Sequence, residues 1–290
     1  MKIALVGRAF ERKYIPEVTL AINELISNKI ELIYQDSLYQ FLTKNSIIPK
    51  DSGEVFTELN EDIDFIITIG GDGTILEAAT LIQNKNIPLL GINAGRLGFV
   101  STTPIEDSLV AIKALINGNY LLDSRMMVKF EGNSEIFGDV NFGLNEFAIQ
   151  KRDTSSMIIV HTYIDGQFLN SYWADGLIIA TPTGSTGYSL SCGGPLLMPQ
   201  NKNFIVAPVN PHNLNVRPLI VPNDAKITLK AEGRGKKVLV SLDSRSVSVP
   251  MDTEITISKT DFNIQLVQLN DYSYFNTLRS KLNWGKDYRN

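Results

Sequence analysis

The chain has 290 residues, 43% of them hydrophobic and 20% charged, with a net charge of -4 at neutral pH. This is ordinary globular usage, long enough for one or two domains with a sizeable core, and it excludes disorder, collagen and coiled coil as the main state. The single cysteine and two histidines exclude an intrachain disulfide and a multi-cysteine metal centre, no basic excess exists for a nucleic-acid surface, and no apolar run approaches a membrane span.

The apolar run at 3–6, with Arg8 following at once, reads as a buried strand rather than a secretory leader, so the cytoplasm is the expected location. Val18, Ala21, Ile22, Leu25 and Ile26 recur at helical spacing and predict a helix over 15–27. The polar stretch 37–53 reads as a mobile loop. Strands follow at 65–69 and 87–92, and helices at 75–82 and 109–116, the last ending at Gly118. Apolar strands alternating with crossover helices imply a parallel sheet covered on both faces.

Near residue 122 the pattern changes. A β-rich run at 157–165 ends in the turn signal Asp165-Gly166. Period-two alternation recurs around Ile227 and Leu229, Val238 and Val240, Ile255 and Ile257, and Ile264 and Leu266. At the end, Phe275, Leu278 and Leu282 share one helical face before Gly285. The expected fold is an α/β N-terminal domain with a parallel sheet (1–121), an all-β C-terminal domain (122–270) and a C-terminal helix (271–290) that packs back on the first domain.

Four motifs carry chemistry. Gly70-Gly71-Asp72-Gly73-Thr74 lies between a buried strand and a helix. Bare glycine backbone and a helix N-terminus offer N–H groups to phosphate. A carboxylate there is out of place unless a metal intervenes or it takes a proton. Neither a G-x-x-x-x-G-K-[ST] loop nor a G-x-G-x-x-G after the first strand occurs, which argues against P-loop enzymes and ordinary dehydrogenases. Asn93-Ala94-Gly95-Arg96-Leu97-Gly98-Phe99 follows the third strand, where glycines permit close approach and Phe99 can stack on a ring. Asn145-Glu146 pairs an amide with a carboxylate, able to read donors and acceptors of a base or sugar. Finally, Asp175-Gly176 leads through an apolar strand into the hydroxyl-glycine run from Thr181 to Ser191, the kind of loop that surrounds ribose and phosphate.

In this order, with Gly193-Gly194-Pro195 and the tail Leu278-Arg279-Ser280-Lys281-Leu282-Asn283-Trp284, the motifs resemble those of NAD kinases. The resemblance implies phosphorylation of the 2′-hydroxyl of the adenosine ribose of NAD by a nucleoside triphosphate such as ATP, giving NADP. It implies Asp72 as general base, with Gly70, Gly71, Gly73, Thr74, Asn93 and Phe99 at the nucleotides. It implies Asn145 and Glu146 on the acceptor, Asp175 on its adenosine part, and Thr186, Gly187, Tyr188, Ser189 and Ser191 lining the same pocket. It further implies Mg²⁺ or another divalent cation brought with the nucleotide, and a homodimer or homotetramer whose site borrows from a neighbour.

The chain departs from the family pattern in places. Glu77 stands where many members are basic, Trp173 where an Arg is frequent, and Gly187 where Ala is frequent. Asp243-Ser244-Arg245 replaces a common Asp-Gly-Gln, and Arg245 is a candidate cation for the pocket. Two other readings are a lipid kinase of the diacylglycerol type and a catalytically silent nucleotide sensor. The loops 93–99 and 181–191 favour a nucleoside acceptor over a lipid, and the retained Asp72 argues against the sensor.

Overall fold

The computed structural model describes residues 1–59, 62–152 and 157–285. The last five positions of the expected terminal segment lie outside the described residues. The chain divides into two compact units: Met1–Ser124 with the segment from Ile264 onward, and Arg125–Asn263.

The first unit is built on an eight-stranded sheet. Its centre comprises β1 (Lys2–Gly7), β2 (Glu31–Gln35), β3 (Glu54–Phe56), β4 (Phe65–Gly70) and β5 (Leu89–Asn93), in the order β3-β2-β1-β4-β5. Each of these pairings is parallel. β1 and β4 are buried along nearly their whole length, which is why their sequences read as continuous apolar runs. The connections run one way from β1 to β3 and the other way from β4 to β5. The crevice beyond the carboxyl ends of β1 and β4 is therefore a topological switch point, where open α/β sheets bind ligands.

Helix α1 (Ile15–Ser27) starts at a Pro-bearing first turn and buries Val18, Ala21, Ile22 and Leu25. The segment expected as a loop at 37–53 instead opens with α2 (Asp36–Lys44). Leu38 and Leu42, one turn apart, are its buried face, and Asp36 and Lys44 complement the helix dipole at either end. Helix α3 (Asp72–Ile82) begins earlier than the apolar spacing indicated, so the glycine-aspartate motif forms its first turn. Helix α4 (Ser108–Ile116) ends before Gly118, whose φ of 72° reverses the chain.

The strand Ile264–Leu269 corrects the expected boundary at 270. Leu266 pairs in parallel with Leu89, so this strand belongs to the first unit's sheet. The helix Tyr274–Leu282 follows in the same unit. It buries Tyr274, Thr277 and Leu278, whereas Phe275, expected on the inner face, is exposed.

The second unit consists of two six-stranded sheets whose pairings are antiparallel. Phe147, Ile149, Leu177, Ile179, Val238 and Val240 of one sheet share a core with Phe130, Val160, Ile227, Leu229, Ile255 and Ile257 of the other. The alternate residues Ala148, Ile178 and Ala180 pack outward against Leu197, Ile205 and Ala207. The strand Gly176–Ala180 is thus buried on both faces. Asp165 and Gly166 both take positive φ, as a tight two-residue hairpin turn demands. Among the described residues of the chain, no helix is long and apolar enough to cross a membrane.

Candidate active site

In the first unit, Gly71 caps α3 in an extended conformation and Asp72 occupies its first turn. The Asp72 carboxylate turns towards the loop after β5. Oδ2 accepts the Phe99 amide at 2.8 Å, while Oδ1 accepts those of Val100 at 3.1 Å and Ser101 at 2.8 Å. This accounts for the carboxylate that seemed misplaced: three successive N–H groups form an anion-binding concavity for it. Gly98 is needed there, because a Cβ would collide with Oδ1. The side-chain amide of buried Asn93 donates to Ser101 O at 3.3 Å, while its Oδ1 is buried without a partner. Half-buried Phe99 lies under the Lys281 ammonium, 5.6 Å from the ring centre, and Lys281 also donates to Leu97 O.

Beside the glycine loop, at the switch point, is a cavity of about 520 Å³. Arg8, Phe10, Gly70, Gly71, Thr74 and Ala94 are among its lining residues. Arg8 pairs with Glu77 at 3.1 Å. Gln35 joins them, accepting the Gly7 amide at 3.0 Å and donating to Glu77 Oε1 at 2.8 Å. The loop after β1 thus brings an arginine against the carboxylate at position 77. No sequence motif joins Arg8, Gln35 and Glu77; the one signal is Arg8 placed directly after the first strand's terminal glycine.

In the second unit, the backbone around Asn145 and Glu146 is fixed from two sides. Thr181 donates its hydroxyl to Leu144 O at 2.6 Å and its amide to Asn145 O at 2.8 Å. From the other side, the Asp243 carboxylate accepts the amides of Leu144 at 2.8 Å, Asn145 at 2.8 Å and Glu146 at 3.1 Å. The side-chain atoms Asn145 Oδ1, Glu146 Oε2 and Ser189 Oγ are buried without partners. Native proteins seldom leave such atoms unsatisfied, and a ligand would supply the missing partners. Burial first, and then the Asp243 charge, push the Glu146 carboxyl up to about 8, against the lowering effect of a hydrogen bond from the Tyr188 amide.

Tyr188 reaches both parts of this surface. Its amide serves Glu146, and its hydroxyl accepts a hydrogen bond from Gln150 at 2.7 Å. Next to Gln150, Lys151 forms a 2.7 Å ion pair with Asp175, and Asn210 donates to Asp175 at 3.2 Å. The lysine first, and then Asn210, outweigh partial desolvation and hold the Asp175 carboxyl below its ordinary range.

Other expected residues sit differently. The Thr186 hydroxyl donates to Thr183 O at 3.0 Å, and Ser191 is exposed. Arg245 departs from its expected role as a pocket cation: its guanidinium donates to the main-chain carbonyls of Val140 and Phe142.

A parallel sheet with a glycine-aspartate turn at a helix N-terminus offers backbone N–H groups to phosphate, and the β unit adds a buried amide-carboxylate pair. Comparison with known proteins makes this specific. The ATP-NAD kinase N-terminal domain family matches residues 14–120, and the ATP-NAD kinase C-terminal domain family matches residues 144–269. The chain is 51% identical to the NAD kinase of Cytophaga hutchinsonii and 43% identical to that of Flavobacterium johnsoniae, each over the full length of both chains. It superposes on an Archaeoglobus fulgidus NAD kinase in complex with ATP with a TM-score of 0.74 and 28% identity, over 98% of this chain and 99% of that one. Yeast NADH kinase complexed with NADH shares the fold, with a TM-score of 0.83 at 22% identity, over 100% of this chain and 89% of that one. The chain belongs to the NAD kinase family.

Proposed function

We propose that the chain transfers the terminal phosphoryl group of a nucleoside triphosphate to the 2′-hydroxyl of the adenosine ribose of NAD, giving NADP. The observation that carries the chemistry is the amide cage of Asp72. Oδ1 accepts two N–H groups and Oδ2 only one, so Oδ2 retains a lone pair for a hydroxyl proton. The ribose oxygen attacks the terminal phosphorus as the bond to the bridging oxygen breaks, and its proton passes to Asp72. A positioned base of this kind contributes typically about 10²–10⁴-fold. The rest of the catalysis is orientation and charge stabilisation.

The acceptor binds at Asn145, Glu146 and Ser189, whose unpartnered polar atoms read its hydroxyls and amide, with Tyr188 beside them and Asp175 on the adenosine part. The triphosphate occupies the cavity beside Gly70 and Gly71, where uncovered backbone, the start of α3 and Arg8 favour phosphate. Among the described residues no group of three or more His, Cys, Asp and Glu side chains could hold a metal ion. A divalent cation carried on the triphosphate oxygens would neutralise phosphate charge there. Self-association into a dimer or tetramer is supported by Phe168 and Trp173, 60% and 50% exposed on the edge strand Gln167–Ala174.

The test is a coupled assay. Purified protein with NAD, ATP and Mg²⁺ should form NADP, detected by an NADP-specific dehydrogenase, and Asp72→Asn should lose at least about 10²-fold in kcat. Undiminished turnover in that variant would remove Asp72 from the chemistry.

A further inference from the structure

The turn between the strands Lys237–Leu242 and Arg245–Pro250 does more than join a hairpin. Asp243 adopts a positive φ of 51°, which turns its carboxylate back over the start of the neighbouring strand. There it accepts three consecutive amides, from Leu144 to Glu146, and its own amide donates to Glu146 O at 3.0 Å. Arg245, on the other flank of the turn, holds the carbonyls of Val140 and Phe142. Gly143 belongs to the same device, because a Cβ there would stand 2.9 Å from Asp243 Oδ1.

The arrangement is a poor one for stability alone. It leaves the carboxylate of Asp243 and the Glu146 head close together in a buried region, with Glu146 Oε2 and Asn145 Oδ1 lacking partners. Local inconsistency of this kind is expected where a ligand completes the site. We propose that Asp243 is a positioning residue for the acceptor: by fixing the backbone of residues 144–146 it presents Asn145 Oδ1 and Glu146 Oε2, each without a partner, to the nucleotide. This inference rests on the assignment of Asn145 and Glu146 to the acceptor. It extends that assignment to a residue that never touches the substrate.

The test uses the full chain and four variants, Asp243→Asn, Gly143→Ala, Asn145→Ala and Glu146→Gln, with NAD binding followed by calorimetry. Asp243→Asn puts an NH₂ group against at least one amide donor, so it removes at least one charge-assisted hydrogen bond. NAD affinity should fall about tenfold or more while triphosphate affinity stays within about twofold. Amide exchange at residues 144–146 should quicken. The pH midpoint of NAD binding should move downwards, because Glu146 loses an anionic neighbour and is left facing Tyr188 and Cys192. A merely structural role would lower NAD and triphosphate affinity together rather than NAD affinity alone. Should Asp243→Asn fail to fold, Gly143→Ala displaces the same carboxylate while keeping its charge, and its NAD and triphosphate affinities are read in the same way. Unchanged NAD affinity in Asp243→Asn, with weakened binding in Asn145→Ala and Glu146→Gln, would overturn the positioning role alone. Unchanged affinity in those last two variants would overturn the acceptor assignment, and the inference with it.

Discussion

The amide of Phe99 donates to Asp72 Oδ2 at 2.8 Å, joining the start of α3 to the loop after β5. The second unit repeats the device, with Asp243 accepting three amides that follow Gly143 just as Asp72 accepts three that follow Gly98. In each case a glycine admits a carboxylate to a row of N–H groups, and the carboxylate fixes the backbone that donates to it. An aspartate at such a position has two functions, and substitutions must be chosen to separate them.

Gly98→Ala separates them for Asp72. The added methyl collides with Oδ1, so the carboxylate must leave its amides although its charge and proton-accepting ability remain. Displacing a reacting group by about 1 Å costs on the order of 10²-fold. The expected result is a loss of about that size in kcat, with a folded protein by circular dichroism. Wild-type kcat in this variant would show that the cage does not set the base geometry.

Arg8 and Glu77 are expected to act on the triphosphate alone. Their ion pair is partly exposed and so costs little to break, which leaves Arg8 available to phosphate. Arg8→Ala should raise KM for the triphosphate by about tenfold, the order of one charge-assisted hydrogen bond. Glu77→Gln should lower that KM, since it frees Arg8 and removes a repulsive charge. KM for NAD should stay level in both, and a parallel rise in both KM values would assign the pair to the scaffold.

Glu146 makes stability depend on pH in a defined direction. Its carboxyl rises from an ordinary 4.5 to about 8 in the folded chain. Between those values the folded state holds a proton that the unfolded state has released, so this group lowers stability as pH rises and becomes level above the upper value. Glu146→Gln lacks the titration. The difference in Tm, variant minus wild type, should therefore increase from about pH 5 to about pH 8 and then flatten. Parallel Tm curves across that range would mean that Glu146 is ionised in the fold throughout.

Much of this was legible in the sequence, for physical reasons. β4 and β5 were visible because strands covered on both faces leave uninterrupted apolar runs. Asn145 and Glu146 stood out as an amide beside a carboxylate, but the sequence did not show that an oxygen of each is buried without a partner. The strand Ile264–Leu269 was visible as a strand but not as a member of the first sheet, because alternation does not encode the partner. α2 was hidden because only Leu38 and Leu42 are buried along it. The role of Asp243 was hidden because its carboxylate meets an amide 98 positions away, and nothing local in a hairpin turn announces that. Arg245 misled for the same reason, since its partners Val140 and Phe142 are equally remote.

Gly187 brings the two effects on Glu146 together. A Cβ at this position would lie 2.9 Å from Glu146 Oε2 and 3.5 Å from Asn145 Nδ2. The nearer atom is the end of a flexible side chain, so Gly187→Ala should fold, with the Glu146 carboxyl pushed out of its buried niche. Rehydration then returns that carboxyl towards its ordinary range. The rise in the Tm difference described for Glu146→Gln should shrink or vanish when that substitution is made in the Gly187→Ala background. KM for NAD should change at the same time, because the head that reads the acceptor has moved. If the pH dependence persists unaltered, the glycine is not what allows Glu146 to stay buried, and the niche must be held open by the backbone between Gly184 and Tyr188.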